Sequence, residues 1–325
     1  MEKAPRNRTL HLSDREIVSF YLKNDVPLSS LHKQDVIDKV FCGDFFSIVG
    51  SIPESIFDLL ILDPPYNMSK QFGSRHFTKM SDDDYSAYFE NLLLKTLPCM
   101  KKTASIYVCC DWRTSLIIGN VLKKYVIIQN RITWQREKGR GASHNWKNSM
   151  EDIWFSTMGE EYYFNVSAVM QRRRVIAPYK KDGKPKDWEE TDAGSFRNTH
   201  PSNFWDDITV PYWSMPENTD HPAQKPEKLI AKLILASSKA GEIVFDPFLG
   251  SGTTAVVAKK LGRRYFGIEL ETKYYALAQK RLELADLSQL IQGYSDGVFW
   301  ERNTLNAIKT KRAKEDGEYE QTRFI

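Results

Sequence analysis

The apolar run Phe57-Asp58-Leu59-Leu60-Ile61-Leu62 ends in Asp63-Pro64-Pro65-Tyr66. Read as a strand, it places a carboxylate, two rigid residues and an aromatic ring at its carboxyl end, the edge where open α/β sheets bind ligands. Two successive prolines fix φ and remove both backbone donors, so the loop offers carbonyl acceptors without competing N–H groups. An amino group meets only acceptors there. The exocyclic amine of a nucleobase is a poor nucleophile because its lone pair is delocalised into the ring. Accepting its two N–H hydrogens, one on Asp63 and one on the Pro64 carbonyl, favours the pyramidal form whose lone pair can attack. Tyr66 would stack on a base extruded from a duplex, because a paired amine cannot be reached in line with a methyl donor. The plainer alternative is a strand ending in a Pro-Pro turn beside an incidental aspartate and tyrosine.

A second strand-like run, Ile243 to Asp246, leads into Pro247-Phe248-Leu249-Gly250-Ser251-Gly252-Thr253-Thr254 and then a helical Ala255-Val256-Val257-Ala258-Lys259-Lys260. Glycines at 250 and 252 permit a tight turn and close approach of the backbone to a ligand at a helix N-terminus. The loop lacks the third glycine of the dinucleotide fingerprint and the Gly-Lys-Ser/Thr of a P-loop, so nicotinamide cofactors and nucleoside triphosphates fit poorly. Glu269 closes the next strand, where a carboxylate can accept hydrogen bonds from both ribose hydroxyls of an adenosine moiety. Taken alone, Gly-Ser-Gly is equally a tight strand-to-helix connection. Strand, loop, helix, strand and terminal acid together read as a nucleoside site without a pyrophosphate.

The elements that must hold these groups alternate as in a mostly parallel sheet covered on both faces. Seven strands are expected: Val36 to Gly43, Phe57 to Asp63, Ser105 to Cys110, Val126 to Trp134, Asp152 to Thr157, Ile243 to Asp246 and Arg264 to Glu269. Apolar spacing of three or four predicts helices over Asp82 to Leu97, Trp112 to Lys124, Pro226 to Ser238, Thr253 to Leu261 and Thr272 to Leu287, with Pro226 in a first turn. Ser13 followed by Glu16 resembles a capping box opening a helix to about Lys23. From Glu160 to Thr219 the rhythm breaks, and basic and aromatic residues accumulate in what reads as an inserted lobe.

The 325 residues carry a net charge of only +4, too little to indicate a nucleic-acid partner unaided. Its distribution says more. Between Arg131 and Lys186 there are 12 Lys or Arg against 6 Asp or Glu, which leaves the rest of the chain slightly negative. The four cysteines form no CxxC pair and read as reduced packing residues, and the six histidines show no ligand spacing, so no metal is expected. The absence of an 18-residue apolar stretch and of a hydrophobic leader makes the cytoplasm the expected compartment and membrane insertion unexpected.

Asp63-Pro64-Pro65-Tyr66 combined with Asp246-Pro247-Phe248-Leu249-Gly250-Ser251-Gly252-Thr253-Thr254 resembles the amino-methyltransferases of DNA restriction-modification systems. His221-Pro222-Ala223-Gln224-Lys225-Pro226 resembles a third block of that family, which precedes the cofactor loop. The order of blocks, catalytic first, recognition region in the middle and cofactor last, resembles the beta-ordered group, a circular permutation of the common methyltransferase sheet. The resemblance spans about Val36 to Leu282.

It implies an α/β, Rossmann-like S-adenosylmethionine-dependent methyltransferase with a seven-stranded, mostly parallel sheet and an inserted target-recognition region. The implied divisions are an N-terminal extension at 1–33, a catalytic half at 34–159, a target-recognition insertion at 160–219, a cofactor-binding half at 220–290 and a C-terminal extension at 291–325. Asp63, Pro64, Pro65 and Tyr66 are then catalytic. The cofactor is S-adenosylmethionine, held by Asp44, Lys225, Asp246, Phe248, Gly250, Ser251, Gly252, Thr253 and Glu269, although a strand-terminal Asp44 serves equally as a helix cap. His221 reads as a turn residue rather than a catalyst. The stretch Arg136 to Lys147 resembles the variable loop beside the target-base pocket. Lys138 and Arg140 there, with Arg172, Arg173, Arg174, Lys180 and Lys181 in the lobe, are the expected DNA contacts. The implied partners are double-stranded DNA and, functionally, a restriction endonuclease; homodimers are common in the family. Asp rather than Ser at position 63 points to N6 of adenine over N4 of cytosine. RNA or protein methylation fits less well, because the glutamine-modifying relatives carry Asn before the double proline. A silent DNA-binding module would not require the intact cofactor loop.

Overall fold

Side-chain alternation in the central strands decides the architecture. In Phe57–Leu62, Leu59 and Ile61 face one apolar core while Leu60 and Leu62 face another, as expected of a strand buried on both sides. The computed structural model describes residues 6–23, 31–73, 75–136, 143–175, 180–182, 184–191 and 194–301.

The main sheet contains β1 (Lys39–Cys42), β2 (Phe57–Leu62), β3 (Met100–Cys110), β4 (Ile127–Gln135), β5 (Met150–Thr157), β6 (Phe204–Trp205), β7 (Ile243–Asp246) and β8 (Arg264–Glu269). Their order is β1-β8-β7-β2-β3-β5-β4-β6, and only β5 runs antiparallel to its neighbours. The sheet is thus eight-stranded rather than seven-stranded, through the two-residue β6. The first strand also begins later than expected. Lys33–Val36 is a helical turn capped by the His32 N–H donating to Asp35, and Asp38 at φ 56° ends it before β1 starts.

Six longer helices complete the core: α1 (Asp14–Tyr21), α2 (Asp82–Thr96), α3 (Trp112–Tyr125), α4 (Glu227–Ser237), α5 (Thr253–Lys260) and α6 (Thr272–Leu287). Helices α2 and α3 cover one face of the sheet, and α4, α5 and α6 the other. Pro226 is the N-cap of α4, one position before the expected first turn. The Ser13–Glu16 capping box opens α1, which packs on α6. Cys99, Cys109 and Cys110 are buried and all four cysteines are free. Among the described residues no helix is long and apolar enough to cross a membrane.

Crossovers after β2 and after β7 travel in opposite directions along the sheet, although these two strands are neighbours. The chain therefore leaves a crevice at their carboxyl ends, the switch point where α/β sheets bind ligands. Asp63, Asp246 and Glu269 all stand at this edge. Because β5 is antiparallel, its first residues, including Glu151, arrive there too.

The stretch 160–219 is not one unit in space. Gln171–Arg174, Glu189–Thr191 and Gly194–Thr199 form a second sheet that is completed by Val298–Trp300 and Tyr294–Ser295 from the C-terminal extension. Residues after Phe204 instead rejoin the core, where Ile208 and Val210 are buried and the Trp134 indole N–H donates to the Ile208 carbonyl.

The joint between core and second sheet is charged and buried. Asp207 accepts from Lys228 at 2.6 Å and Lys232 at 3.0 Å, all three being buried, and the Lys232 ammonium lies 4.9 Å from the Trp205 ring centroid. Asp207→Asn should lower stability by about 3–5 kcal/mol, because it strands two buried ammonium groups. Lys232→Met should cost much less, since Lys228 still neutralises Asp207 and the new side chain packs between Trp205 and Phe299. Urea unfolding of both variants measures the difference, and equal losses would contradict this account.

Candidate active site

Asp63 leaves the end of β2 and meets Lys225, which the turn before α4 carries in from the other half of the chain. The Lys225 ammonium donates to Asp63 Oδ1 at 2.8 Å and to Oδ2 at 2.6 Å, and stands 3.1 Å from the Tyr66 hydroxyl. The Tyr66 hydroxyl lies 3.0 Å from Asp63 Oδ1 and 3.2 Å from Glu151 Oε2. Arg136, at the end of β4, pairs with the other oxygen of Glu151. Lys225 is ionised: burial acts to lower its pKa, and the flanking Asp63 and Glu151 more than reverse that. The Tyr66 phenol is held well above its ordinary value, first by burial and then by the same two carboxylates. The Lys225 ammonium lies at the hydroxyl edge of the ring, 5.4 Å from the centroid. The Pro65 carbonyl accepts from Tyr85 at 2.9 Å, which fixes the double proline from below.

The glycine loop is braced from behind. Asp246 accepts the Phe248 N–H at 3.0 Å and the Thr254 hydroxyl at 2.6 Å, tying the strand to the first turn of α5. Gly252, at φ 86°, leaves no room for a side chain, since a Cβ there would lie 2.6 Å from that of Ala278. Arg281 donates to the Ser251 carbonyl at 2.9 Å and the Thr253 hydroxyl at 3.0 Å. Gly250, at φ 59°, passes beside His221, whose pKa burial lowers to about 4, so its ring is neutral. Glu269 accepts the Gly250 N–H at 2.7 Å and the Glu271 N–H at 2.8 Å.

A cavity of about 410 Å³ runs along the sheet edge. Asp44, Phe248, Gly250 and Glu269 line one end, Trp134, Arg136 and Glu151 the other, and Asp63 with Lys225 stands between them. A short hairpin, Lys70–Phe72 with Arg75–Phe77, borders it, held by the Gly73 N–H on the Tyr274 hydroxyl at 3.2 Å. Of the residues expected to hold a cofactor, Asp246, Ser251 and Thr253 line a smaller adjoining pocket that shares Asp63, Lys225, Phe248 and Gly250 with this cavity, and Gly252 lines neither. The Lys225 ammonium touches the Asp63 carboxylate, and the residue also lines the adjoining pocket beside the glycine loop. Asp44 lines the cavity while its carboxylate caps the helical turn Phe45–Ile48, so both readings of it hold geometrically. The nucleoside fit is favourable: a carboxylate has about four acceptor positions, and the two backbone bonds to Glu269 leave acceptor capacity for ribose hydroxyls.

Glu151 was not among the expected site residues, nor was Arg136 as its partner. A single glutamate opening a strand gives no spacing signal. The expected DNA contacts fare unevenly. Lys138 and Arg140 lie outside the described residues. Arg172 pairs with Glu189 and lies 5.3 Å from the Phe196 ring and 5.4 Å from the Trp300 ring, within the second sheet. Arg173 is 3.5 Å from Glu301, whereas Arg174, Lys180 and Lys181 are exposed.

A sheet with a glycine loop, a ribose-type acid and an acidic tetrapeptide at its switch point defines a Rossmann-like methyltransferase. Residues 57–280 match the N6/N4 DNA methylase family, and the chain belongs to that family. It is a DNA methyltransferase, of a family that depends on S-adenosylmethionine. It is 31% identical over 250 residues to DNA adenine methyltransferase YhdJ of Escherichia coli K12, covering 75% of this chain and 82% of that one. To type II methyltransferase M.HpaI of Haemophilus parainfluenzae it is 29% identical over 248 residues, covering 75% and 74%. Among solved structures it is similar in fold to the cytosine-N4-specific PvuII DNA methyltransferase, with a TM-score of 0.57 at 16% identity, covering 79% of this chain and 88% of that one. It is likewise similar to TTHA0409 of Thermus thermophilus complexed with S-adenosyl-L-methionine, with a TM-score of 0.51 at 18% identity, covering 81% and 98%.

Burial raises both Asp246 and Glu269 to about 7, from ordinary values of 3.8 and 4.5, with backbone and hydroxyl donors opposing the shift only in part. Between about pH 4.5 and 7 the folded protein therefore binds more protons than the unfolded chain. This contribution to stability is complete below the unfolded values and is lost as pH rises through about 7. Urea unfolding without cofactor should give a lower stability at pH 7.5 than at pH 5.5, and Glu269→Gln should narrow the difference; an unchanged difference would remove Glu269 as a source.

Proposed function

We propose that the protein methylates N6 of adenine at a specific sequence in double-stranded DNA, in the cytoplasm, as the modification partner of a restriction endonuclease. The observation that carries the chemistry is the Asp63 carboxylate, held by Lys225 midway along one cavity between the Glu269 end and the Glu151 end. S-adenosylmethionine supplies an electrophilic methyl group when bound. On this reading the acidic end of β8 and the Phe248-to-Gly250 turn hold the nucleoside, Glu269 accepting ribose hydroxyls. Asp63 and the Pro64 carbonyl accept the N–H hydrogens of the amine and so free its lone pair, and the displaced proton leaves to water. Tyr66 flanks the extruded base. Arg174, Lys180 and Lys181 contact phosphates, and the second sheet contributes to the choice of sequence.

Adenine is favoured over N4 of cytosine by Asp rather than Ser at position 63 and by the adenine specificity in the name of YhdJ. The restriction partner is suggested by the type II designation of M.HpaI. Modification-sensitive long-read sequencing of a plasmid from an expressing host reports base and context together. N6-methyladenine in one recurrent sequence is expected, and N4-methylcytosine would overturn the assignment of the base.

Asp63→Ala should abolish methyl transfer while leaving cofactor binding within a few fold, because the carboxylate faces the amine. Glu269→Ala should instead weaken cofactor binding by roughly 10- to 100-fold, the loss of a charged hydrogen bond worth about 1.5–3 kcal/mol. Calorimetry and turnover on both variants separate the roles; an Asp63→Ala enzyme within a few fold of the parent would refute the first, and unaltered affinity in Glu269→Ala the second.

A further inference from the structure

Five polar side chains from four parts of the chain, Asp63, Tyr66, Arg136, Glu151 and Lys225, meet between the middle of the cavity and its Glu151 end. We infer that Lys225 and Glu151 are positioning residues for the target amine, Lys225 keeping Asp63 an acceptor and Glu151 keeping Lys225 against it. The inference rests on the proposed role of Asp63.

The acceptor count supports it. Asp63 Oδ1 takes Lys225 at 2.8 Å and Tyr66 at 3.0 Å, and Oδ2 takes Lys225 at 2.6 Å. With about two acceptor positions on each carboxylate oxygen, one position remains on Oδ2. That suffices for the single N–H the mechanism gives to Asp63, so the network need not open when a base enters. Glu151 Oε1 is held by Arg136, and Oε2 lies 3.2 Å from Tyr66 and 3.5 Å from Lys225. It is almost fully buried, with 6% of its side chain exposed.

Charge decides what Lys225 contributes. Asp63 and Glu151 are balanced by Lys225 and Arg136. Among the described residues, the other titratable groups facing the cluster include Lys70 on the hairpin, Cys109 and Cys110 on β3, Tyr85 on α2, His221 in the turn that carries Lys225, and Asp246 on β7. Burial raises both cysteines and Tyr85 and lowers His221, leaving all four neutral, and it lowers Lys70, which stands on the hairpin that borders the cavity rather than in the turn that delivers Lys225. An uncharged residue at 225 leaves the half-buried Asp63 facing the buried Glu151 across one phenol, with Arg136 alone between their charges and neutrality, and such a pair takes up a proton more readily. A protonated carboxyl donates where it must accept.

The test is the pH profile of kcat/KM on duplex DNA for the full chain, with cofactor affinity measured in parallel. Lys225→Met should move the acid limb of activity upward by about one pH unit or more, a loss of roughly tenfold at the acid side that recovers at alkaline pH. Lys225→Arg, which keeps the charge, should lower kcat without moving the limb. Adding Glu151→Gln to Lys225→Met should return the limb towards the parent, because one carboxylate no longer faces another. All variants should bind cofactor within about threefold of the parent, since none of these contacts reaches the Glu269 end. A loss in Lys225→Met that is the same at every pH, or a double variant whose limb does not return, would overturn the inference and leave Lys225 a packing residue. Asp63→Asn measured alongside separates the two claims: if it turns over normally, the role of Asp63 itself fails, whereas an inactive Asp63→Asn with a parental limb in Lys225→Met defeats only the inference.

Discussion

The ion pair between Lys225 and Asp63 joins residues 162 positions apart, and the rest of the site is arranged around it. Asp63 ends β2, in the first half of the chain, and Lys225 precedes α4, which belongs to the second. Their pairing requires β2 and β7 to be neighbours with crossovers running in opposite directions, which is also what opens the crevice. A half-buried ion pair is poor evidence of stability, because desolvation of both ions offsets their attraction. Its value here is geometric. An ammonium bonded to both oxygens fixes the plane of the carboxylate, and two further partners, Tyr66 and Glu151, fix the ammonium.

The glycine loop obeys the same logic on the other side of Asp63. It presents backbone to the cavity and keeps its side chains behind, where Asp246, Thr254 and Arg281 hold its shape. Arg281 also pairs with Glu227 at 2.9 Å, so α6 braces the loop and α4 together. The turn that delivers Lys225 and the turn that delivers Gly250 are therefore fixed by one network. Thr253 completes it by donating to the Lys225 carbonyl at 3.1 Å. Residues conspicuous in the motif thus hold the shape of the loop.

Much of this was legible in the sequence, for identifiable reasons. The seven longer strands are runs of β-branched and aromatic residues, and their ends carry the acids, so the carboxyl edge could be read before any pairing was known. What escaped notice depends on pairing across long separations. Val298–Trp300 is too short to read as a strand, and it exists because Gln171–Arg174 offers it a free edge. Phe204–Trp205 is a strand because β4 has an open side. Val36 looks like strand, but its conformation is set by its polar neighbours His32, Asp35 and Asp38 rather than by its own propensity. Glu151 was invisible for a related reason. Its partner Tyr66 is 85 residues away, and only the reversal of β5 brings its first residues to the catalytic edge.

Charge shows the limit of counting. The surplus of basic residues between Arg131 and Lys186 suggested a broad surface for phosphates, yet part of it is spent within the protein. Arg136 neutralises Glu151, Arg172 pairs with Glu189 over two aromatic rings, and Arg173 lies against Glu301. Arg174, Lys180, Lys181 and Lys186 are exposed. Arg172 and Arg173 also attach the C-terminal extension to the second sheet, through Trp300 and Glu301, while Lys228 fastens the same extension to α4 by donating to the Trp300 carbonyl. The helix that follows Lys225 thus grips both Asp207 and Trp300, so that the catalytic edge and the second sheet share one rigid support. The buried cluster around Lys228 and Lys232 thus fixes the second sheet relative to the helix that begins at the Lys225 turn, and with it the distance between that sheet and Asp63.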